Sequence, residues 1–127
     1  MNKYSVTAVF EFNDDAMIDI ISSATYDIGY WGGVDNDTDE WENARAELSE
    51  DATFEDLMYH ILKKGDKVRM FDVEETDGPW ELTFDKLLNG IKLTIENGYW
   101  TGSLDDIDGE VGDIIFQYAL FSDIVYG

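Results

Sequence analysis

Apolar and polar residues alternate from Tyr4 to Phe12. Tyr4, Val6, Ala8, Phe10 and Phe12 fall on one side, and Ser5, Thr7, Val9 and Glu11 on the other. This two-residue period predicts a half-buried strand. Asn13-Asp14-Asp15 supplies N-cap chemistry, and Met17, Ile18, Ile20, Ile21 and Ala24 then predict a short helix ending before Gly29. The glycine- and acid-rich stretch 28–41 reads as a loop or a short irregular strand. Residues 41–64 predict helix in two pieces. Trp41, Ala44 and Leu48 carry the first, a break spans Ser49 to Thr53, and Phe54, Leu57, Met58, Ile61 and Leu62 carry the second up to Gly65. Val68 to Val73 reads as a strand, Glu74 to Pro79 as a turn, and Trp80 to Thr83 as the returning strand of a hairpin. Thr83 caps a helix with the stripe Phe84, Leu87, Leu88, Ile91 and Ile95, stopped at Asn97-Gly98. Tyr99 to Gly109 is loop or hairpin. The last helix runs from Glu110 to about Phe121, with Val111, Ile114, Ile115, Tyr118, Ala119 and Phe121 inward. Both periods are mixed along the chain, so the expected class is α+β: a small antiparallel sheet packed with three to four helices, in one domain over 1–127.

Charge changes this picture most. Eight Lys and Arg stand against 29 Asp and Glu, a formal net charge of -21. Such acidity alone would suggest disorder, but seven Phe, seven Tyr and four Trp supply apolar area for a core. The lack of cysteine excludes disulfides, thiolate metal sites and cysteine nucleophiles. No apolar run approaches the ~18 residues of a spanning helix, and the N-terminus alternates where a signal peptide would be continuous. The expected location is the cytoplasm of the host cell. Direct binding to nucleic acid or to an anionic membrane is disfavoured, since both carry the same sign of charge.

The chain is poor in catalytic signatures. His60 is the only histidine, lies among apolar helix positions, and has no signalled partner. No Gly-x-Ser-x-Gly elbow occurs, and Gly29-Tyr30-Trp31-Gly32-Gly33 matches no phosphate loop. Asp35, Asp37 and Asp39 have the opening spacing of a calcium loop, but Glu40 replaces its glycine and Ala46 its bidentate glutamate. No enzyme, resident metal or cofactor is expected.

The acids are segregated. Ten lie within 35–56 against one base, Arg45, while Lys63, Lys64, Lys67 and Arg69 crowd together. A chain of this length has a diameter of roughly 36 Å, a length over which duplex DNA carries about 21 charges. The net charge is of the same magnitude, and holding it together costs stability through self-repulsion. One reading is a DNA-mimicking surface that occupies a basic cleft, with a footprint of Asp35, Asp37, Asp39, Glu40, Glu42, Glu74, Glu75 and Asp77 and with Trp41 and Trp80 as desolvated anchors. The expected partner is a basic host nuclease or another nucleic-acid-binding protein. The plain alternative is an acidic surface that serves solubility. A third reading is a binder that sequesters a nucleotide signal, using Lys63, Lys64, Lys67 and Arg69 for the anion and Tyr30 and Trp31 to stack the base. A carboxylate–metal hydrolase is a fourth.

Ile28-Gly29-Tyr30-Trp31, Leu82 to Leu93 (LTFDKLLNGIKL) and Asp113 to Gly127 (DIIFQYALFSDIVYG) resemble a family of small uncharacterised acidic proteins of phages and mobile elements of Gram-positive bacteria. The resemblance covers about half the chain. Ser122 stands where that pattern has a glycine, and the family varies between Asp35 and Asp56. The family brings no established activity. The setting it implies is that of a small accessory protein acting stoichiometrically, by analogy an anti-CRISPR or anti-restriction inhibitor of a host defence protein.

Overall fold

The computed structural model describes residues 2–127. Its elements in chain order are α1 (Asp14–Asp27), β1 (Gly32–Val34), α2 (Asp39–Glu47), α3 (Phe54–Lys63), β2 (Val68–Asp72), β3 (Trp80–Leu82), α4 (Phe84–Glu96) and α5 (Gly109–Phe121). Single 3-10 turns occupy Ile28–Tyr30 and Leu104–Asp106. The class is α+β, with five helices where three to four were expected. β1, β2 and β3 form an antiparallel sheet in that order. Val34 lies opposite Met70, and Arg69 opposite Glu81.

Local chemistry sets the helix ends. Asn13 accepts a hydrogen bond from the Ala16 amide, and Thr53 and Asp56 form a reciprocal capping box. Thr83 caps α4 and Asp108 caps α5. α3 ends at Gly65 (φ 96°), where the amides of Gly65 and Asp66 bond to the carbonyls of Leu62 and Ile61. α4 ends the same way at Gly98 (φ 82°). α5 reaches the left-handed region at Ser122 (φ 57°), without a glycine.

α5 is the axis of the fold. It is buried on nearly every side, and α1 and α4 flank it. Two glycines set these contacts. A β-carbon on Gly112 would lie 2.5 Å from the Ala24 amide nitrogen of α1, and one on Gly90 would lie 2.5 Å from the Ile115 carbonyl oxygen of α5. Met58, Ile61 and Leu62 of α3 and Val68, Met70 and Leu82 of the sheet complete the same core.

One expected element is absent. Tyr4 to Phe12 forms no strand, and Tyr4, Val6 and Val9 lie in solvent. A strand needs a neighbouring strand for its backbone groups, and this segment runs beside α4. Its end is held by Phe12, stacked on Trp100 at 5.6 Å between ring centroids, and by the Phe10 ring lying over Gly102.

Ser122→Gly is expected to raise stability by roughly 0.5–1 kcal/mol, because glycine adopts the left-handed region without β-carbon strain. Gly112→Ala is expected to lower it by about 1–3 kcal/mol or more, because the contact it meets is backbone. Denaturant midpoints of the two variants against the parent check both.

Candidate functional site

The sheet presents one face to the core and one outward. Val68, Met70 and Asp72 point in, while Arg69 and Phe71 point out. The Phe71 ring covers Gly33 on the outer face, where a β-carbon would meet it at 2.4 Å. Asp35 continues from β1, its amide bonding to the Arg69 carbonyl, and its carboxylate accepts the Asp37 amide. Asp39, Glu40 and Glu42 follow in the first turn of α2, where a helix N-terminus favours negative charge. Thr38, Asp39 and Glu40 border a cleft of about 410 Å³ together with Lys67, Arg69, Pro79 and Glu81.

The second acidic segment is a turn built on a buried carboxylate. Asp72, at the end of β2, accepts the amides of Glu74 and Asp77, both at 3.0 Å, and the Thr76 hydroxyl at 2.7 Å. These bonds, the Glu74 amide first, hold its carboxyl below the usual carboxylate range. Glu74, Glu75 and Asp77 are thereby presented on a fixed turn, all exposed. This turn extends from the Asp72–Trp80 end of the sheet, whereas Asp35 leaves at the opposite, Arg69 end. The two acidic segments bracket the outer face.

The ion pairs engage other carboxylates. Lys63 pairs with Asp14, Lys64 with Glu47 and Asp66, Lys67 with Glu81, and Lys92 with Glu96. His60 bonds to Glu47 at 2.9 Å. Lys64, then His60, hold the Glu47 carboxyl below its ordinary value, and Glu47 raises Lys64. The Tyr59 hydroxyl, then Lys63, lower Asp14. Among the described residues, none of Asp35, Asp37, Asp39, Glu40, Glu42, Glu74, Glu75 and Asp77 takes part in an ion pair. Nor do three His, Asp or Glu residues come together at metal-ligand spacing among them.

The aromatic anchors need correction. Trp41 is 1% exposed and stacks on Phe54 at 4.8 Å. It is a core residue and has no surface to offer a partner. Its indole nitrogen is buried without a hydrogen-bond partner. The three-residue spacing of Trp41 with Ala44 places the two on one side of α2, the side that the core covers. Trp80 is half-buried, in edge contact with Phe121 at 4.9 Å and tilted against Trp31 at 5.9 Å. The apolar groups open to a partner beside the acids are Phe71 and Val73, each 42% exposed. Strand parity marks them, because they alternate with the buried set Val68, Met70 and Asp72.

Trp31 is also committed inward, and Tyr30, still 56% exposed, is tied to the same carboxylate by its hydroxyl. The Trp31 indole donates to Asp113 Oδ1 at 2.7 Å and the Tyr30 hydroxyl to Asp113 Oδ2 at 2.5 Å. The Gln117 amide donates to Asp113 Oδ1, and Gln117 Oε1 accepts the amides of Val125 and Tyr126. Tyr126 stacks on Trp31 at 5.2 Å. A base cannot stack on Trp31 without displacing this assembly. The Lys67–Arg69 side of the cleft faces three carboxylates, a poor setting for an anion.

No family model, curated protein or solved structure matches the chain. No helix among the described residues is long and apolar enough to cross a membrane.

Burial, and then Asp113, push the Tyr30 hydroxyl up to about 12, and burial and Asp14 do the same for Tyr59. Each folded value lies above the ordinary 10.0. The stabilisation is therefore complete below about 10 and is lost as pH rises through about 12. Denaturant midpoints should fall across that window. Tyr30→Phe should make the fall shallower and leave the part due to Tyr59.

Proposed function

We propose that this protein is a non-enzymatic inhibitor that occupies the basic nucleic-acid-binding surface of another protein. In the setting implied by the family resemblance, that partner is a nuclease or related defence protein of the host cell. One observation carries the reading. Lys63, Lys64, Lys67 and Lys92 pair with carboxylates outside 35–42 and 74–77, whereas none of the footprint acids in those two segments forms an ion pair among the described residues, although Lys67 and Arg69 share the cleft with Asp39 and Glu40. Both segments are fixed to the ends of one sheet by β1, the α2 first turn and the Asp72 turn. Fixed anionic groups compete for a phosphate-binding cleft and accelerate encounter by steering. Phe71 and Val73, between them, supply the apolar contact first assigned to Trp41.

The partner is sought by pull-down with the full chain at low and high salt, and the complex is then measured by titration. Affinity is expected to fall steeply as salt rises. Reversing Asp35, Asp37, Asp39, Glu40 and Glu42 to Lys is expected to abolish binding and inhibition. Phe71→Ala is expected to weaken binding by roughly ten-fold. Salt-insensitive binding, or inhibition unchanged after the reversals, would overturn the reading.

A further inference from the structure

Residues 4–12 alternate, with Val9 the one apolar residue on the polar side, yet residues 2–12 remain unpaired. Among the described residues, no backbone hydrogen bond involves them, and Tyr4, Val6 and Val9 are 88%, 95% and 83% exposed. The segment is a β-competent arm with an apolar side and open backbone groups. Beside it runs a groove of about 550 Å³, with Leu88, Ile91 and Ile95 of α4 on one wall and Val6, Ala8 and Phe10 on the other.

Charge identifies what fits the arm. In a chain of net charge -21, residues 2–12 carry one cation, Lys3, and one anion, Glu11. Two copies repel each other over most of their surface, but not here. The arm also matches itself. A two-fold axis through Thr7 makes an antiparallel pair in which Lys3 of each copy lies opposite Glu11 of the other. The same register sets Tyr4 opposite Phe10, Val6 opposite Ala8 and Ser5 opposite Val9. Shifting the axis to Val6 sets Lys3 opposite Val9, and shifting it to Ala8 sets Lys3 opposite Asn13, so both charge pairs are lost. Opposite charges and aromatic pairs directly across a ladder are the ones that stabilise it.

We infer that two copies of this chain associate through their N-terminal arms, as a two-stranded antiparallel ribbon centred on Thr7. Tyr4, Val6, Ala8 and Phe10 of both strands form its apolar face. A two-stranded ribbon needs a packing surface to persist in water, and the α4 walls of both copies supply one, with Leu88 still 42% exposed for the purpose. The acidic segments at 35–42 and 74–77 lie on other elements, so a dimer carries two such faces.

The test uses the full chain in sedimentation and light scattering over a concentration series. A dimer is expected for the parent. Lys3→Glu alone, and Glu11→Lys alone, each set two pairs of like charge face to face and should raise the dimer dissociation constant by roughly ten-fold or more. Combining both substitutions restores the pairs with inverted sign and should restore the dimer. Circular dichroism confirms that these exposed arm variants keep the fold. The chain has no cysteine, so Thr7→Cys provides a single thiol per copy. Opposed residues sit about 4.5–5.5 Å apart between α-carbons, within disulfide reach. Oxidation should therefore give a covalent dimer with Thr7→Cys and not with Val9→Cys. A parent that stays monomeric, a dimer indifferent to the charge reversals, or equal cross-linking at both positions would overturn the proposal.

Discussion

The Asp113 carboxylate sits inside the core on α5, 6% exposed, and takes hydrogen bonds from the Trp31 indole, the Tyr30 hydroxyl and the Gln117 amide. A buried charge without donors would be prohibitively costly. With three, it becomes a constraint that fixes everything attached to them. Trp31 is the residue before β1, and its carbonyl accepts the Val73 amide at the far end of β2. Gln117, one turn along α5, holds the chain's last residues by their backbone. The sheet, the central helix and the C-terminal segment are registered through one acid. Removing one donor would leave the charge short of a partner and cost more than the bond itself is worth.

Three segments meet around the central helix. Ile28 to Trp31 and Asp113 to Gly127 supply the two sides of the Asp113 assembly. Leu82 to Leu93 contains Gly90, whose missing side chain lets α4 approach α5. The segment from Asp35 to Asp56 lies mostly at the surface, with Trp41 and Ala44 reaching into the core.

The surface divides by the same logic. Lysines at the end of α3 sit near the carboxyl ends of its peptide dipoles and pair with Asp14 and Glu47 from α1 and α2. Those pairs are exposed and individually weak. They engage the lysines of α3 with carboxylates of α1 and α2, whereas the acids at 35–42 and 74–77 form no ion pair among the described residues. The Asp72 turn makes that asymmetry rigid, because amides and a hydroxyl satisfy its buried carboxylate without any cation.

The sequence by itself determined the helices, their caps and the hairpin. Those signals are local: a stripe at helical spacing, Thr83 or Asn13 at an N-cap, Gly65 or Gly98 where the backbone turns left-handed. It also determined the charge asymmetry, since acids in 35–42 and 74–77 are loop and first-turn residues that solvent must reach. Only the tertiary structure decided which aromatic residues face outward. Spacing could place Trp41 beside Ala44 on α2, but its burial depended on Phe54 arriving from α3. Phe71 and Trp31 part ways for the same reason, one covering a glycine outside the sheet and the other finding a carboxylate 82 residues away. The alternating N-terminal arm marks the limit most clearly. A two-residue period specifies which side chains share a face, but a strand exists only where another backbone completes its hydrogen bonds, and nothing local encodes where that partner is.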